Sequence, residues 1–290
     1  MKEIVVISGK GGTGKTSVTA SFAALAKNIV MADCDVDAAD LHLILKPEKS
    51  HSNDFFSGHV ASIRSENCLA CGRCADYCRY DAIDATDHSF VVKPSSCEGC
   101  KVCVEFCPAE AIDFNEALCG QWMTSSMRFG EMVHARLGIG AENSGKLVST
   151  VREQARKLGQ RNSADWIIVD GPPGTGCAVI ASITGADAVV IITEPTLSGK
   201  HDMLRVLSLA AHFSVPSFVS VNKYDINLEM TESIEREAVE FGARVMGRVP
   251  YDEDVTKSQV KELSTVEFSD GPASQAIRRL WSELYLKVGH

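Results

Sequence analysis

No run of apolar residues in this chain approaches the roughly 18 that a membrane-crossing helix needs, although 45% of its 290 residues are apolar. An excess of positive charge is missing too. Lys and Arg number 29 against 38 Asp and Glu, a formal net charge of -9, which argues against a protein built to grip nucleic acid, whose phosphate-binding surface shows as clustered bases. Charged residues are only 23% of the chain, too few for a disordered polymer and consistent with a packed core. The opening residues MKEIVVISGKGG lack the long apolar stretch and small-residue cleavage pattern of a secretory signal. A cytoplasmic location is the expectation, with membrane and nucleic-acid partners not expected.

What the chain does have is cysteine, eleven of them, and without an export signal a disulfide framework is not the explanation. Eight form two identical runs of CxxCxxCxxxC: Cys68, Cys71, Cys74 and Cys78, then Cys97, Cys100, Cys103 and Cys107. The runs lie 29 residues apart and each ends in Ala-Ile-Asp, at Ala82, Ile83, Asp84 and at Ala111, Ile112, Asp113. Such self-similarity marks a duplicated unit. Residues 60–116 are therefore expected to form a small domain inserted into a larger one made of 1–59 and 117–290.

The larger part alternates apolar, β-branched runs with helical stretches. Strands are expected at 3–8, 29–33, 166–170, 188–193, 217–222 and 244–250, and a helix at 16–27. That alternation implies an α/β fold, a mostly parallel sheet covered by helices on both faces. Between the first strand and first helix stands GKGGTGKT, Gly9-Lys10-Gly11-Gly12-Thr13-Gly14-Lys15-Thr16, followed by Ser17. This is the phosphate-loop pattern in its required context: backbone N–H groups and the helix start face the phosphates, Lys15 reaches the β- and γ-phosphates, and the Thr16 hydroxyl holds Mg²⁺. A Gly-rich turn that merely starts a helix is the plainer alternative. Asp170 ends the strand WIIVD, where a carboxylate is placed to hold Mg²⁺, and GPPGTG follows at 171–176.

These residues resemble the deviant Walker ATPases, the MinD and ParA superfamily related to Mrp-type cluster carriers and the nitrogenase iron protein. Lys10 in the loop beside Lys15 is their signature, DGPPGTG is similar to their second switch, and Asp33-Cys34-Asp35 to their first. The likeness extends through 134–148 and 193–202. It implies ATP and Mg²⁺ as ligands and a homodimer formed on ATP binding, in which Lys10 reaches the partner's nucleotide. It further implies that Asp35 orients the attacking water, that Asp33 supports Mg²⁺, and that Asn222 reads adenine with Pro250, Tyr251 and Asp252 lining the base. Asp37 and Asp40 are expected to be solvated acids at a helix start.

The cysteine runs resemble those of two-cluster bacterial ferredoxins, an α+β fold in which the fourth cysteine of each run ligates the other cluster. The resemblance implies two [4Fe-4S] clusters, one on Cys68, Cys71, Cys74 and Cys107, the other on Cys78, Cys97, Cys100 and Cys103. Zinc is the alternative. Pro108 follows Cys107 as in ferredoxins, whereas Arg79 follows Cys78, a departure. Nine acids against five bases between 61 and 114 give the insert a negative surface suited to a basic redox partner.

Cys119 and Cys177 stand outside the runs. The spacing of Cys177 from Asp170 resembles that of the nitrogenase iron protein, so an interface cluster held by Cys119 and Cys177 is set against the commoner fate of a small buried thiol. His134, Asn143, Ser144 and Lys146 are expected in a loop, facing either a partner or solvent. Ile277, Leu280, Trp281, Leu284, Tyr285 and Val288 share a helical face, read as packing on the sheet in preference to a membrane-targeting helix. The functional expectation is an ATPase whose nucleotide cycle drives electron delivery to a metallocofactor-carrying client. The alternatives are a redox-sensing positioning ATPase of the MinD type and a cluster module with a vestigial nucleotide site.

Overall fold

A computed structural model describes residues 1–138 and 144–289, without the side chains of 49 and 50. The elements in order are β1 (Lys2–Ser8), α1 (Lys15–Leu25), β2 (Ile29–Asp33), α2 (Leu41–Leu45), β3 (Glu48–Ile63), α3 (Arg73–Asp76), β4 (Ile83–Ala85), β5 (Phe90–Val92), α4 (Val102–Glu105) and β6 (Ile112–Met127). They continue with β7 (Gly130–Leu137), α5 (Ser144–Arg161), β8 (Trp166–Pro173), α6 (Cys177–Ile183), β9 (Ala188–Thr193), α7 (Leu197–His212), β10 (Ser217–Asn222), α8 (Leu228–Glu240), β11 (Arg244–Val249), α9 (Glu253–Val260), α10 (Thr265–Phe268) and α11 (Pro272–Val288).

Two compact units are present. The first comprises 1–53, 122–136 and 144–290, and the second 54–121 and 137–143. The segment 60–116 expected from the sequence lies inside the second unit, whose boundaries fall within β3 and within β6.

Among the described residues the main sheet has nine strands, in the order β11-β10-β9-β1-β8-β2-β7-β6-β3. From β11 to β7 every neighbouring pair is parallel. Ile4, Val5, Val6 and Ile7 are all fully buried. Side chains of successive strand residues point to opposite faces, so burial at every position means that both faces of β1 are covered, which explains why such strands read as unbroken apolar runs. On one face Ile4, Val6, Met31 and Ile168 pack with Phe22 of α1 and with α11.

The C-terminal stripe is part of that core. Ile277, Leu280, Trp281, Leu284 and Val288 are buried, while Tyr285 is 47% exposed. The Trp281 ring lies 5.3 Å from Phe22 and 5.5 Å from Trp166. The face that a bilayer would need is thus already turned to the sheet. Among the described residues no helix is long and apolar enough to cross a membrane.

The described residues of the stretch 134–148 are not all in the loop expected. His134 sits on β7 in register with Asp33 of β2, and its Nε2 is 2.8 Å from Ser125 Oγ. Ser144 and Lys146 begin α5, and Asn143 lies outside the described residues.

Candidate functional site

At the end of β1 the chain turns into α1 through Gly14, whose φ of 88° is left-handed. A side chain there would collide with the amide of Asn222, so glycine is required both by conformation and by close approach. The turn drives Lys15 inward. Its Nζ, in a residue only 6% exposed, lies 3.0 Å from Asp170 Oδ1 and 3.5 Å from Asp35 Oδ2. Asp170 also accepts hydrogen bonds from Thr16 Oγ1 at 3.1 Å and Thr19 Oγ1 at 2.8 Å. The backbone of Asp33-Cys34-Asp35 is tied to the same strand end, Cys34 N donating to Asp170 O at 2.8 Å.

Burial dominates the electrostatics here. It pushes the Asp33 carboxyl well above the usual carboxylate range, neighbouring Asp170 adds to the rise, and Lys15 opposes it. Asp35 is raised for the same first reason, with Lys15 again opposing. Lys15 is held above its ordinary value because Asp170, Asp35 and Asp33 together outweigh its desolvation. Asp33 Oδ2 and Thr13 Oγ1 are buried without a hydrogen-bond partner, polar atoms that face this costly state unless a ligand supplies a partner.

A cleft of about 460 Å³ opens over the loop, within the size range of small-molecule sites, and is lined by Gly11 to Ser17, Asp35, Ala38, Asp40, Leu43, Ile44, Pro173 and Gln259 among others. Lys15, Thr16 and Asp35 thus share one cavity, with Asp170 buried directly against Lys15 and Thr16. Asp40, expected as a solvated acid only, is part of the lining. Lys10 points elsewhere: its Nζ is held within the same chain by Glu194 Oε1 at 2.5 Å and Ser198 Oγ at 3.0 Å. Asn222 is committed to the loop, Nδ2 donating to Thr13 O at 2.8 Å. Asp252 caps two helices, Oδ1 accepting from Asp254 N and Oδ2 from Ala273 N. The Tyr251 backbone donates to Asp225 Oδ1. Gln259 lies far from the motif in sequence and belongs to no pattern of its own, whereas Glu194 falls in the stretch 193–202 that carries the family likeness, although the likeness gave it no role.

In the second unit two cavities are each lined by four cysteines. Cys68, Cys71, Cys74 and Cys107 line one, with Leu69, Arg73, Phe90 and Pro108. Cys78, Cys97, Cys100 and Cys103 line the other, with Tyr77, Tyr80, Glu98, Lys101 and Phe114. The backbones of the two halves repeat one another. Positive φ recurs at matched positions: Ala70 at 49° and Gly99 at 59°, Gly72 at 79° and Lys101 at 67°, Asp81 and Glu110 both at 48°. Left-handed residues of this kind turn successive N–H groups into anion-binding concavities of the type found at phosphate and iron–sulfur sites. Ala82 N donates to Cys78 Sγ and Ala111 N to Cys107 Sγ, both at 3.4 Å.

The thiols are all free. Burial and then the neighbouring Cys97 and Cys100 push the Cys103 thiol up to about 11, so gathering thiolates here without a cation is unfavourable. Among the described residues no three His, Cys, Asp or Glu side chains gather closely enough to hold a single metal ion. Four cysteines lining each cavity are the type and number of donors that a [4Fe-4S] cluster takes. Cys119 is buried in this unit, its thiol donating to Ser57 O at 3.1 Å, whereas Cys177 is exposed at the start of α6 in the first unit.

A parallel sheet, a glycine-rich turn into a helix and a buried lysine among acids define a P-loop nucleotide-binding protein. The chain belongs to the family described as CbiA, the CobQ/CobB/MinD/ParA nucleotide binding domain, which matches residues 4–266. It is a nucleotide-binding protein of the MinD/ParA family. An uncharacterized protein of Methanocaldococcus jannaschii is 32% identical over 285 residues, covering 97% of this chain and 96% of that one. An iron-sulfur cluster carrier protein of Pyrococcus horikoshii is 24% identical over 306 residues, covering 99% and 86%. Among solved structures, the MinC:MinD cell division protein complex of Aquifex aeolicus superposes with a TM-score of 0.59 at 19% identity, covering 99% and 97% of the two chains. MinD of Pyrococcus horikoshii complexed with Mg-ADP gives 0.58 at 16%, covering 100% and 98%. The structural likenesses establish the fold.

Proposed function

We propose that the protein is an ATP-hydrolysing, dimerising iron–sulfur protein that couples its nucleotide cycle to electron delivery, serving assembly or reduction of a metallocofactor on a client protein. One observation carries the reading: a single chain combines a MinD-type phosphate cleft with two cavities that each present four free cysteines. Cys68, Cys71, Cys74 and Cys107 would hold one [4Fe-4S] cluster, and Cys78, Cys97, Cys100 and Cys103 the other, in an inserted ferredoxin-like domain. Bound there, the clusters supply one-electron transfer.

The residues of the chain do the rest. Lys15 neutralises the β- and γ-phosphates, and Thr16, Asp33 and Asp170 would hold Mg²⁺, which would supply further charge neutralisation there. Asp35 accepts a hydrogen bond from the attacking water and orients it toward the γ-phosphate. Lys10 must first leave Glu194 and Ser198 before it can reach a partner's nucleotide, which makes pairing of two chains the event that completes the charge stabilisation. ATP and water become ADP and phosphate.

Phosphate release by anaerobically purified, iron-loaded protein tests this. Turnover is expected to rise with protein concentration, as dimerisation requires, and to vanish in Lys10→Ala. Absence of turnover at every concentration, with and without a reduced electron donor and acceptor, contradicts the enzymatic reading. Recruitment to liposomes by ATP would move the assignment to a positioning ATPase.

A further inference from the structure

Arg128 belongs to no motif, yet its guanidinium ties three elements of the first unit together. Nη1 donates to Leu45 O at 2.9 Å and Nη2 to Ile44 O at 3.1 Å. These are C-terminal carbonyls of α2, a helix of five residues that cannot satisfy them internally. On the other side Nε and Nη2 donate to the two carboxylate oxygens of Glu267 at 2.7 and 2.8 Å, the planar fork that Arg supplies and Lys does not. Glu267 is itself fixed, accepting from Ser264 N and Ser264 Oγ at the start of α10. The neighbours of Arg128, Met127 and Phe129, pack against the core that contains Leu41, Ile44, Leu45 and Val266. The turn, α2 and α10 therefore form one block.

What the block joins gives it a role. Leu43 and Ile44 of α2 line the phosphate cleft, as do Asp35 and Ala38 on the segment leading to it. Lys15 holds Asp35 at 3.5 Å, so a phosphate that takes the charge of Lys15 loosens the segment that ends in α2. The other end of the block belongs to the strands that enter and leave the second unit. β3 starts at Glu48, just after α2, and passes into that unit after Asn53, while β6 returns from it before Trp122 and ends at Met127, next to Arg128. β3 and β6 are neighbours in the sheet. Through Ile44 and Leu45, Arg128 joins the wall of the cleft to the roots of both.

We propose that Arg128 is a positioning residue that couples the nucleotide cleft to the cysteine-bearing unit, its hold on α2 passing a nucleotide-driven shift of the cleft wall into β3 and β6. This rests on the proposed function and names the route by which its two halves communicate. Coupling of this kind is reciprocal. If nucleotide alters the redox behaviour of the clusters, their redox state alters the affinity for nucleotide by the same factor.

The experiment is calorimetric titration of the anaerobically purified, iron-loaded full-length protein with Mg²⁺ and a non-hydrolysable ATP analogue, once oxidised and once reduced with dithionite. The unaltered protein should bind the analogue with affinities that differ between the two states by about fivefold or more. Arg128→Lys keeps the charge and loses the fork, and Arg128→Met loses both. Each variant should retain its iron and still bind the analogue, with the two affinities now equal. A variant that keeps the difference, whether its binding is unchanged or weakened equally in both states, shows that Arg128 only supports the fold and overturns the proposal. Loss of all binding in both variants overturns it too, because Arg128 would then hold the cleft itself. Equal affinities in the unaltered protein are a separate failure, that of the coupling in the proposed function.

Discussion

The phosphate cleft and the cysteine cavities handle buried charge in opposite ways. In the cleft, opposite charges already hold one another: Lys15 lies 3.0 Å from Asp170 and 3.5 Å from Asp35, so the side chains that meet a nucleotide are in place before it arrives. In the cavities, four thiols face one another, and burial together with Cys97 and Cys100 drives Cys103 up to about 11 although Lys101 lines the same cavity. The first site is preorganised by its own ion pairs, whereas the second is completed by what it binds. Nucleotide should therefore change the first unit modestly, while iron should decide whether the second is folded at all.

The largest expected effect comes from removing the central cation of the cleft. Lys15→Ala leaves Asp170 and its neighbours buried and unpaired, which costs about 3–5 kcal/mol of stability and abolishes ATP binding. Calorimetric unfolding and ATP titration read both consequences, and a variant as stable as the parent would show the cleft is not held by its ion pairs. Iron removal comes next. Chelation should erase one unfolding transition, that of residues 54–121, and leave the other within a few degrees. A single unshifted transition would remove the contrast between the units.

A narrower test separates the two cavities. A methyl group at Gly99 would collide with the carbonyl oxygen of His59, while its counterpart in the first repeat is already Ala70. Gly99→Ala should halve the iron content by emptying the second cavity alone, and full iron would show that the close approach is tolerated. The smallest effect is a pH slope. Asp33 and Asp35 have raised values in the folded state, so the folded chain binds more protons than the unfolded one above the ordinary carboxylate range. Stability should fall as pH rises from that range through the raised values, and Lys15, charged throughout that window, does not offset the slope. Asp33→Asn should flatten it in urea unfolding measured between pH 4 and about 8, and an unchanged slope would place the titration elsewhere.

How much of this could be read from residues alone depended on how local each signal was. The strands 29–33, 188–193 and 217–222 coincide end for end with β2, β9 and β10, because strands buried on both faces are unbroken apolar runs. β3, β6 and β7 escaped notice. Residues such as HSNDFFSGHV in β3 and NEALCGQWMTSS in β6 mix polar and apolar positions without clean alternation. The loop from Gly9 to Thr16 was legible because phosphate binding needs contiguous backbone N–H groups. Glu194, which holds Lys10, lies in the recognised stretch 193–202 but is brought to the loop only by the order of the strands, and Gln259, which holds Ser17, comes from α9 with no sequence signature. The glycines of 138–145 suggest a loop around His134, yet strand pairing with β2 extends through that residue.

The central claim is that nucleotide captured in the first unit changes the redox behaviour of the second. The most direct measurement is an anaerobic redox titration of the iron-loaded protein followed by electron paramagnetic resonance, with and without a non-hydrolysable ATP analogue. The account predicts a shift in midpoint potential or signal shape on adding the analogue, absent in Lys15→Ala. Superimposable titrations from a protein shown to bind the analogue would contradict it.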